Sequence, residues 1–322
     1  MGPQETGPRP EAARDVTAEV DVEPSAAAAL LAEHCPQWAG LPLTPVVSSG
    51  MDNAMYRLGD DLVLRLPRTA RSADRFAREL RWLPVLARRL PVRVPHVRYA
   101  AAPSAAHPAG WSVLDWIDGQ DAWTAPPPDE MLMAEDLADL VLALRAIEVP
   151  SAAEPPPPGT RGGPLAPRVP TVLAAVEAVG HLVDADLIRS IWQRAVLAPR
   201  HEGPPVLLHA DLIPGNLLLD HGRLSAVIDW GAIADGDPAA DLTPAWWVLG
   251  AAAREHLRHL LGADDATWQR AAGWAIAQAV LATRYYLPVG HALGDVALRA
   301  LRALVSDPVI GGRPGAADSP PC

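Results

Sequence analysis

Four polar residues within one stretch, residues 206–231, have the types and the spacing that phosphoryl transfer requires. The stretch reads VLLHADLIPGNLLLDHGRLSAVIDWG and contains His209, Asp211, Asn216 and Asp229. Phosphoryl transfer needs a carboxylate that orients a hydroxyl group and hard oxygen ligands for a magnesium–nucleotide complex. We therefore predict that Asp211 is the base and that Asn216 and Asp229 are the Mg²⁺ ligands. His209 is predicted to brace the loop rather than to act as an acid or base.

A predicted β-hairpin positions these residues. Residues 217–219 and 224–228 are short apolar segments, and the turn-rich tetrad 220–223 joins them. A hairpin brings its two outer ends side by side, so Asn216 and Asp229 are expected to be neighbours, with the loop that carries Asp211 beside both. An isolated His-x-Asp is more often a turn with a capping aspartate. Asn216 and Asp229 lie at offsets that resemble those of the kinase catalytic loop and its metal-binding aspartate, and this resemblance favours phosphoryl transfer.

The segments HADLIPGN, AVIDWG and GDPAADL resemble the motifs of the aminoglycoside phosphotransferase family of small-molecule kinases. The resemblance covers roughly residues 40–290 and implies an α+β, two-lobed protein-kinase-like fold, with a small antiparallel-sheet N-lobe and a larger, mostly helical C-lobe. Ala210 stands where the family usually has Gly, and a positive φ there would add strain. The predicted domains are a disordered tail (1–24), the N-lobe (25–114), a hinge (115–120), the helical C-lobe (121–310) and a frayed C-terminus (311–322).

A three-stranded antiparallel meander, with strands at 43–48, 53–58 and 62–66, is predicted to open the folded part. In a kinase-like fold its first turn faces the nucleotide phosphates, although an ordinary hairpin has the same pattern. Arg65 occupies the position of the family's phosphate-binding Lys, and Glu79 on a predicted helix (74–90) is its expected partner. Alternatively, Arg65 is an exposed strand residue and Glu79 pairs locally with Arg75. In the hinge, the backbones of two residues are expected to contact the adenine. The complete predicted nucleotide-binding set is Ser48, Ser49, Gly50, Asn53, Arg65, Glu79, Asp115 and Ile117.

Further helices are predicted at 25–38, 130–146, 171–185, 186–197, 242–253 and 268–287, with a surface loop over the proline-rich residues 150–170. Asp241 is expected to open the 242–253 helix, where its carboxylate can cap free N–H groups and brace the loop that carries Asp211. Trp246 and Trp247 are expected to pack in the core.

Composition restricts the partners and the compartment. The chain has 322 residues, a formal net charge of −11 and 49% hydrophobic residues. The negative charge argues against nucleic acid or an anionic membrane as a partner. The N-terminal residues lack a basic start followed by an apolar core, so we expect no secretory signal, and no apolar run reaches roughly 18 residues; the cytoplasm is the predicted location. Cys35 and Cys322 form no metal-binding pattern.

The predicted reaction is transfer of the γ-phosphate of ATP or GTP to a hydroxyl group of a small molecule, in a monomer or homodimer. An aminoglycoside, macrolide or peptide antibiotic fits the family as the acceptor, and the acidic residues Asp118, Asp121 and Asp235 are candidate contacts or, equally, a solvated rim. Three alternatives stay open: a metabolite kinase for choline, homoserine or a sugar; a nucleotide-binding pseudokinase; and a metallohydrolase built on His209, Asp211 and Asp229.

Overall fold

The computed structural model describes residues 23–46, 53–68, 73–104, 107, 110–149 and 160–311. These residues form two compact units. The first contains the described residues of Met1–Ala77 and Val97–Trp116, and the second contains Arg78–His96 and the described residues of Ile117–Cys322.

An antiparallel sheet is the framework of the first unit. Its strands, in the spatial order β1-β2-β3-β5-β4, are β1 (Leu43–Pro45), β2 (Asn53–Leu58), β3 (Leu62–Pro67), β4 (Val97–Ala101) and β5 (Trp111–Asp115). Alternate residues of β2, such as Tyr56 and Leu58, are buried, as expected for a strand with one covered face. Ala27 and Leu31 of helix α1 (Pro24–His34) belong to the same core cluster. The predicted meander is present as β1–β3, and β5 and β4 extend it.

Short strands in the second unit lie on either side of the segment that carries the predicted base. They are β6 (Gln120–Asp121), β7 (Val206–Leu208), β8 (Leu217–Asp220), β9 (Arg223–Val227) and β10 (Ala234–Gly236). β8 and β9 form the predicted hairpin, in which Leu217 pairs with Val227. β6 pairs with β8, and β7 pairs antiparallel with β10. The chain between β7 and β8 is therefore anchored by paired strands at both ends.

Helices make up most of the second unit. They are α2 (Ala73–Arg89), which begins in the first unit, α3 (Glu130–Arg145), α4 (Val169–Val179), α5 (Ala185–Leu197), α6 (Pro244–Trp247), α7 (Ala251–Leu260), α8 (Asp265–Tyr286) and α9 (Ala292–Val305). The 22-residue α8 packs against α4, α5 and α9. A Cβ atom on its Gly273 would lie 2.7 Å from Cβ of Ala195, so the glycine allows α5 to approach closely.

The single helix predicted at 242–253 is wrong. A 3₁₀ helix (Pro238–Leu242), α6 and α7 occupy this region instead. The break before α7 has a tertiary cause, because the N–H of Gly250 donates a hydrogen bond of 2.8 Å to Oε2 of the distant Glu130 rather than to a preceding turn of helix. Helix α9 was not predicted from the sequence.

A buried polar network connects the helices after the predicted metal ligands. Arg254 of α7 forms an ion pair of 2.7 Å with Asp307, and Nε1 of Trp246 donates to the same carboxylate at 2.8 Å. Trp246 and Trp247 are both buried, as predicted.

Within the described ranges, no helix combines the length and apolar composition that crossing a membrane requires. The small antiparallel sheet and the helix-rich remainder confirm the predicted α+β class.

Candidate functional site

The imidazole of His209 connects the 209–216 loop, which joins β7 to β8, to the end of the β8–β9 hairpin. Nε2 of His209 lies 3.1 Å from the carbonyl oxygen of Ile228, and Nδ1 accepts a hydrogen bond of 3.1 Å from the N–H of Asp211. A carbonyl can only accept and an N–H can only donate, so Nε2 carries the proton. The ring is fully buried against Trp230, and this burial lowers the pKa of His209. His209 is therefore a neutral brace between the loop and the end of the hairpin.

Asp241 holds the main chain of the loop in a left-handed conformation. Its Oδ2 and Oδ1 atoms accept hydrogen bonds from the N–H groups of His209 (2.8 Å) and Ala210 (2.6 Å). Ala210 has φ of 66°, which is uncommon for a residue with a side chain. Desolvation of the buried carboxyl group raises the pKa of Asp241 to about 6, although the two hydrogen bonds oppose the shift. The sequence anticipated that Asp241 would brace this loop, but not its position outside a regular α-helix.

The carboxylate of Asp211 is partly accessible, with 20% of its side chain exposed. Its Oδ1 atom forms an ion pair with Nη1 of Arg161. The same Nη1 donates to the Ala210 carbonyl at 2.8 Å, and Nε2 of Gln278 in α8 donates to that carbonyl at 3.2 Å. Sequence reasoning missed Arg161 and Gln278. They lie 49 and 68 residues from Ala210 in the chain, so no local spacing could have indicated them.

Asn216 and Asp229 are brought to adjacent ends of the hairpin, as the sequence predicted. The carbonyl of Asn216 accepts a hydrogen bond of 3.0 Å from the N–H of Ile228, the residue before Asp229. Nδ2 of Asn216 donates to the carbonyl of Asp211 at 2.9 Å. The amide therefore keeps Oδ1, the atom type that a hard cation binds, for another partner. Asp229 has φ of 58°, a second left-handed residue in the site.

Glu79 of α2 contacts the backbone immediately after Asp229. It is only 2% exposed, and its Oε1 atom accepts a hydrogen bond of 3.2 Å from the N–H of Trp230. Arg65, its predicted partner, belongs to β3 of the first unit, where it lies opposite Met55 and Ser112 and is 8% exposed. The predicted pairing of Glu79 with Arg65 stays a prediction.

Of the other predicted nucleotide-binding residues, Asn53 and Asp115 belong to the first unit. Ser48, Ser49 and Gly50 are outside the described residues. Asn53 begins β2, opposite Pro67, and is half-buried. Asp115 ends β5, and its carboxylate accepts hydrogen bonds of 2.5 and 3.1 Å from Arg98. The side chain of Asp115 is thus occupied, which is compatible with the predicted use of its backbone. Ile117 is half-buried and begins the second part of the second unit.

The three candidate acceptor contacts have different surroundings. The carboxylate of Asp121 accepts hydrogen bonds from the N–H of Trp123 (3.0 Å), the N–H of Thr124 (2.8 Å) and the Thr124 hydroxyl (2.9 Å), so it caps its own turn. The carbonyl of Asp118 accepts from Arg93 at 3.0 Å. Asp235 in β10 lines a cavity of about 420 Å³ in the second unit. Asp235 thus has a position in a cavity wall.

Two comparisons with known proteins found similar chains. The model of the phosphotransferase enzyme family matches residues 44–274. The GDP and kanamycin complex of APH(2")-IIia is 21% identical with a TM-score of 0.65, over 85% of this chain and 96% of that one. Macrolide 2'-phosphotransferase MphH from Brachybacterium faecium, as the apoenzyme, is 25% identical with a TM-score of 0.57, over 86% and 97%. The streptomycin–ATP–APH(2")-IIa ternary complex is 19% identical with a TM-score of 0.55, over 79% and 90%.

No curated protein sequence matches the chain. The family match nevertheless covers well over half of the chain and includes the 209–216 loop, the hairpin and Asp241. The predicted fold and reaction class agree with it. The chain belongs to the phosphotransferase enzyme family and is a small-molecule phosphotransferase.

Proposed function

We propose that the chain transfers the γ-phosphate of ATP or GTP to a hydroxyl group of an antibiotic of aminoglycoside, macrolide or peptide type and thereby gives resistance. The observation that carries the proposal is the grouping of Asp211, Asn216 and Asp229. The Asn216 side chain bonds the backbone of Asp211, and the Asn216 backbone bonds the residue before Asp229. Similar structures contain GDP with kanamycin and ATP with streptomycin, and others are macrolide phosphotransferases.

Asp211 is the proposed base. A carboxylate oxygen orients the acceptor hydroxyl toward the γ-phosphorus and takes its proton as the new oxygen–phosphorus bond forms. The bond from the γ-phosphorus to the bridging oxygen breaks, which leaves a nucleoside diphosphate and a phosphate ester. His209 takes no part in the proton transfer, because both of its ring nitrogens already have partners. The same two contacts count against the metallohydrolase alternative, in which His209 would be a metal ligand.

Asn216 and Asp229 are the proposed Mg²⁺ ligands. The amide oxygen of Asn216 and the carboxylate of Asp229 are hard donors of the kind that Mg²⁺ prefers, and these two groups would hold the ion. Bound Mg²⁺ supplies neutralisation of the charge on the transferring phosphates. Glu79 has a positioning role in this arrangement, because it holds the N–H of Trp230 and thereby the backbone next to Asp229.

The groups proposed to bind the nucleotide belong to the proposed N-lobe (25–114) and hinge (115–120). Arg65 with Glu79 is proposed to position the α- and β-phosphates. The backbones of Asp115 and Ile117 are proposed to bind the base of the nucleotide. Ser48, Ser49, Gly50 and Asn53 are proposed to supply the remaining groups. The cytoplasm, where the nucleotide is available, is the proposed location.

Asp235 is the favoured acceptor contact among the three acidic candidates. Its position in the wall of the cavity supports binding of an amine-bearing acceptor, since a carboxylate attracts an ammonium group. Asp121 is less suited, because its carboxylate is already shared among the donors of its own turn. Asp118 stays a proposed acceptor contact.

A nucleotide-consumption screen tests the proposed acceptor. Purified protein with Mg²⁺ and either ATP or GTP is incubated with kanamycin, gentamicin, streptomycin, erythromycin, a peptide antibiotic, choline, homoserine and a hexose. Release of ADP or GDP is measured, and mass spectrometry detects a phosphate adduct. A phosphorylated antibiotic supports the proposal, whereas an adduct on choline, homoserine or the hexose identifies a metabolite kinase. Nucleotide binding without any adduct favours the pseudokinase alternative.

Replacement of the proposed base tests the mechanism. Asp211→Ala is expected to lower turnover by about 10²- to 10⁴-fold, the usual contribution of a positioned general base, while ATP binding stays close to that of the wild type. Asp220→Ala is the matched control, since Asp220 is a 60% exposed carboxylate at the end of β8. Turnover of Asp211→Ala equal to that of the control would exclude Asp211 as the base.

A further inference from the structure

Arg161 lies in the turn of residues 160–163, yet its guanidinium contacts two groups of the 209–216 loop. A single atom, Nη1, donates to the carbonyl of Ala210 at 2.8 Å and forms the ion pair with Oδ1 of Asp211. No other cation within the described parts of the chain contacts the Asp211 carboxylate. The loop itself reads Leu-Ile-Pro-Gly between Asp211 and Asn216 and so contains no cation. The positive charge beside the proposed base therefore comes from a distant segment.

Two glycines allow this segment to pass close to the strands that flank the loop. A Cβ atom on Gly162, which has φ of 84°, would lie 2.4 Å from Cδ1 of Leu208, and one on Gly236 would lie 2.4 Å from the carbonyl oxygen of Gly162. That carbonyl accepts a hydrogen bond of 2.8 Å from the N–H of Asp237. The turn is thus fastened to the chain beside β10, which fixes the origin of the Arg161 side chain.

We infer that Arg161 is a positioning residue that sets the orientation of the Asp211 carboxylate, an inference that rests on the proposed role of Asp211 as the base. The guanidinium holds Oδ1 by a charge-assisted contact, which leaves Oδ2 to receive the acceptor hydroxyl. Because Nη1 also bonds the Ala210 carbonyl, the carboxylate is tied to the backbone of the loop that carries it. Reactions of this kind depend strongly on the alignment of the reacting atoms.

The expected effect of removing the guanidinium is on turnover rather than on binding. In Arg161→Ala the Asp211 carboxylate gains rotational freedom, so kcat is expected to fall by about 10- to 100-fold. Arg161 acts through Asp211, so the KM for kanamycin or erythromycin and the dissociation constant for ATP are expected to stay within about twofold of the wild-type values. Arg161→Lys is expected to recover most of the activity, because one ammonium group can make both contacts that Nη1 makes.

The experiment compares wild type, Arg161→Ala, Arg161→Lys and the control Arg189→Ala. Arg189 is a matched control, since its side chain is 34% exposed, against 35% for Arg161, and it also pairs with acidic residues, Glu177 and Asp186. Transfer of radiolabelled phosphate from ATP to kanamycin and to erythromycin is measured, together with slow ATP hydrolysis in their absence. Addition of methylguanidinium to Arg161→Ala is expected to restore part of the lost turnover. Equal kcat values for Arg161→Ala and Arg189→Ala would overturn the inference.

A double-mutant cycle with Asp211→Asn separates this inference from the proposed function. If Arg161 acts through Asp211, Arg161→Ala has no further effect on the residual turnover of Asp211→Asn. Full turnover by Asp211→Asn alone would refute the proposed base. A slow but measurable Asp211→Asn combined with additive losses in the double variant, or with an Arg161→Lys variant as slow as Arg161→Ala, would refute only the role of Arg161.

Discussion

Replacement of Asp241 by Asn separates the contribution of this residue to activity from its effect on stability. The Asp241 carboxylate accepts hydrogen bonds from the N–H groups of His209 and Ala210, and it is only 2% exposed. Asparagine has nearly the same shape but offers a single acceptor oxygen, so its NH₂ group would face one of the two N–H groups. The variant also cannot ionise. Asp241→Asn should therefore weaken the brace on the loop while removing a buried charge.

The size of the stability effect follows from the pKa of Asp241, which burial raises from 3.8 to about 6. This difference corresponds to roughly 3 kcal/mol of extra free energy needed to ionise the carboxyl group in the folded protein. Between pH 4 and pH 6 the folded state binds more protons than the unfolded state, so stability falls as the pH rises. The contribution of the protonated group is fully present below pH 4 and is lost above about pH 6.

Urea unfolding of wild type and Asp241→Asn at pH 4, 5, 6, 7 and 8 measures this directly, because the other titrating groups largely cancel in the difference. The stability of wild type relative to the variant is expected to decrease by roughly 3 kcal/mol from pH 4 to pH 7. Asp184→Asn is the control, since Asp184 is an exposed cap that accepts from the N–H of Leu187 at 3.0 Å. A constant difference across this range, or one that changes in the opposite direction, would refute the reasoning.

The activity of the Asp241→Asn variant is expected to fall even where its stability does not. At pH 7.5 the variant should lose no more stability than the loss of one hydrogen bond explains. Its kcat should fall by about tenfold or more, because the Ala210 backbone, which Asp241 holds at the N–H and Arg161 and Gln278 hold at the carbonyl, loses the contact at its N–H. Phosphate transfer to the acceptor identified in the screen gives this value. Unchanged kcat in a folded variant would show that the 209–216 loop keeps its conformation without the carboxylate.

Two further predictions concern the left-handed residue and the proposed metal ligand. Ala210→Gly is expected to raise the free energy of unfolding by up to about 1 kcal/mol, the net of the relieved strain and the added chain entropy, whereas Ala77→Gly, on the exposed face of α2, is expected to lower it by about 1 kcal/mol. Urea unfolding measures both, and a destabilised Ala210→Gly contradicts the assigned strain. In Asp229→Ala, ATP affinity measured by calorimetry is expected to lose its dependence on Mg²⁺, while EDTA weakens binding to the wild type at least about tenfold. Equal wild-type affinities with and without metal would contradict the ligand assignment.

Local sequence patterns were sufficient for much of the fold and for the grouping of the predicted site residues. Residues 217–228 contain both strands of a hairpin and the turn between them, so the proximity of Asn216 and Asp229 follows from short-range geometry. The long helices α3 and α8 are periodic enough to be located within a few residues. The pattern failed at residues 242–253, where a hydrogen bond from Gly250 to the distant Glu130 interrupts an otherwise helical sequence.

The amino-acid sequence by itself determined the chemistry available to this protein: a carboxylate, an amide and a second carboxylate at the spacing that phosphoryl transfer requires. Only the tertiary structure decided how those groups are held. Arg161 and Gln278 meet at the carbonyl of Ala210, and Asp241 reaches its N–H, although all three residues are at least 31 residues away in the chain. Such contacts leave no periodicity or spacing in a single sequence, because they depend on how separate helices and turns pack around the loop.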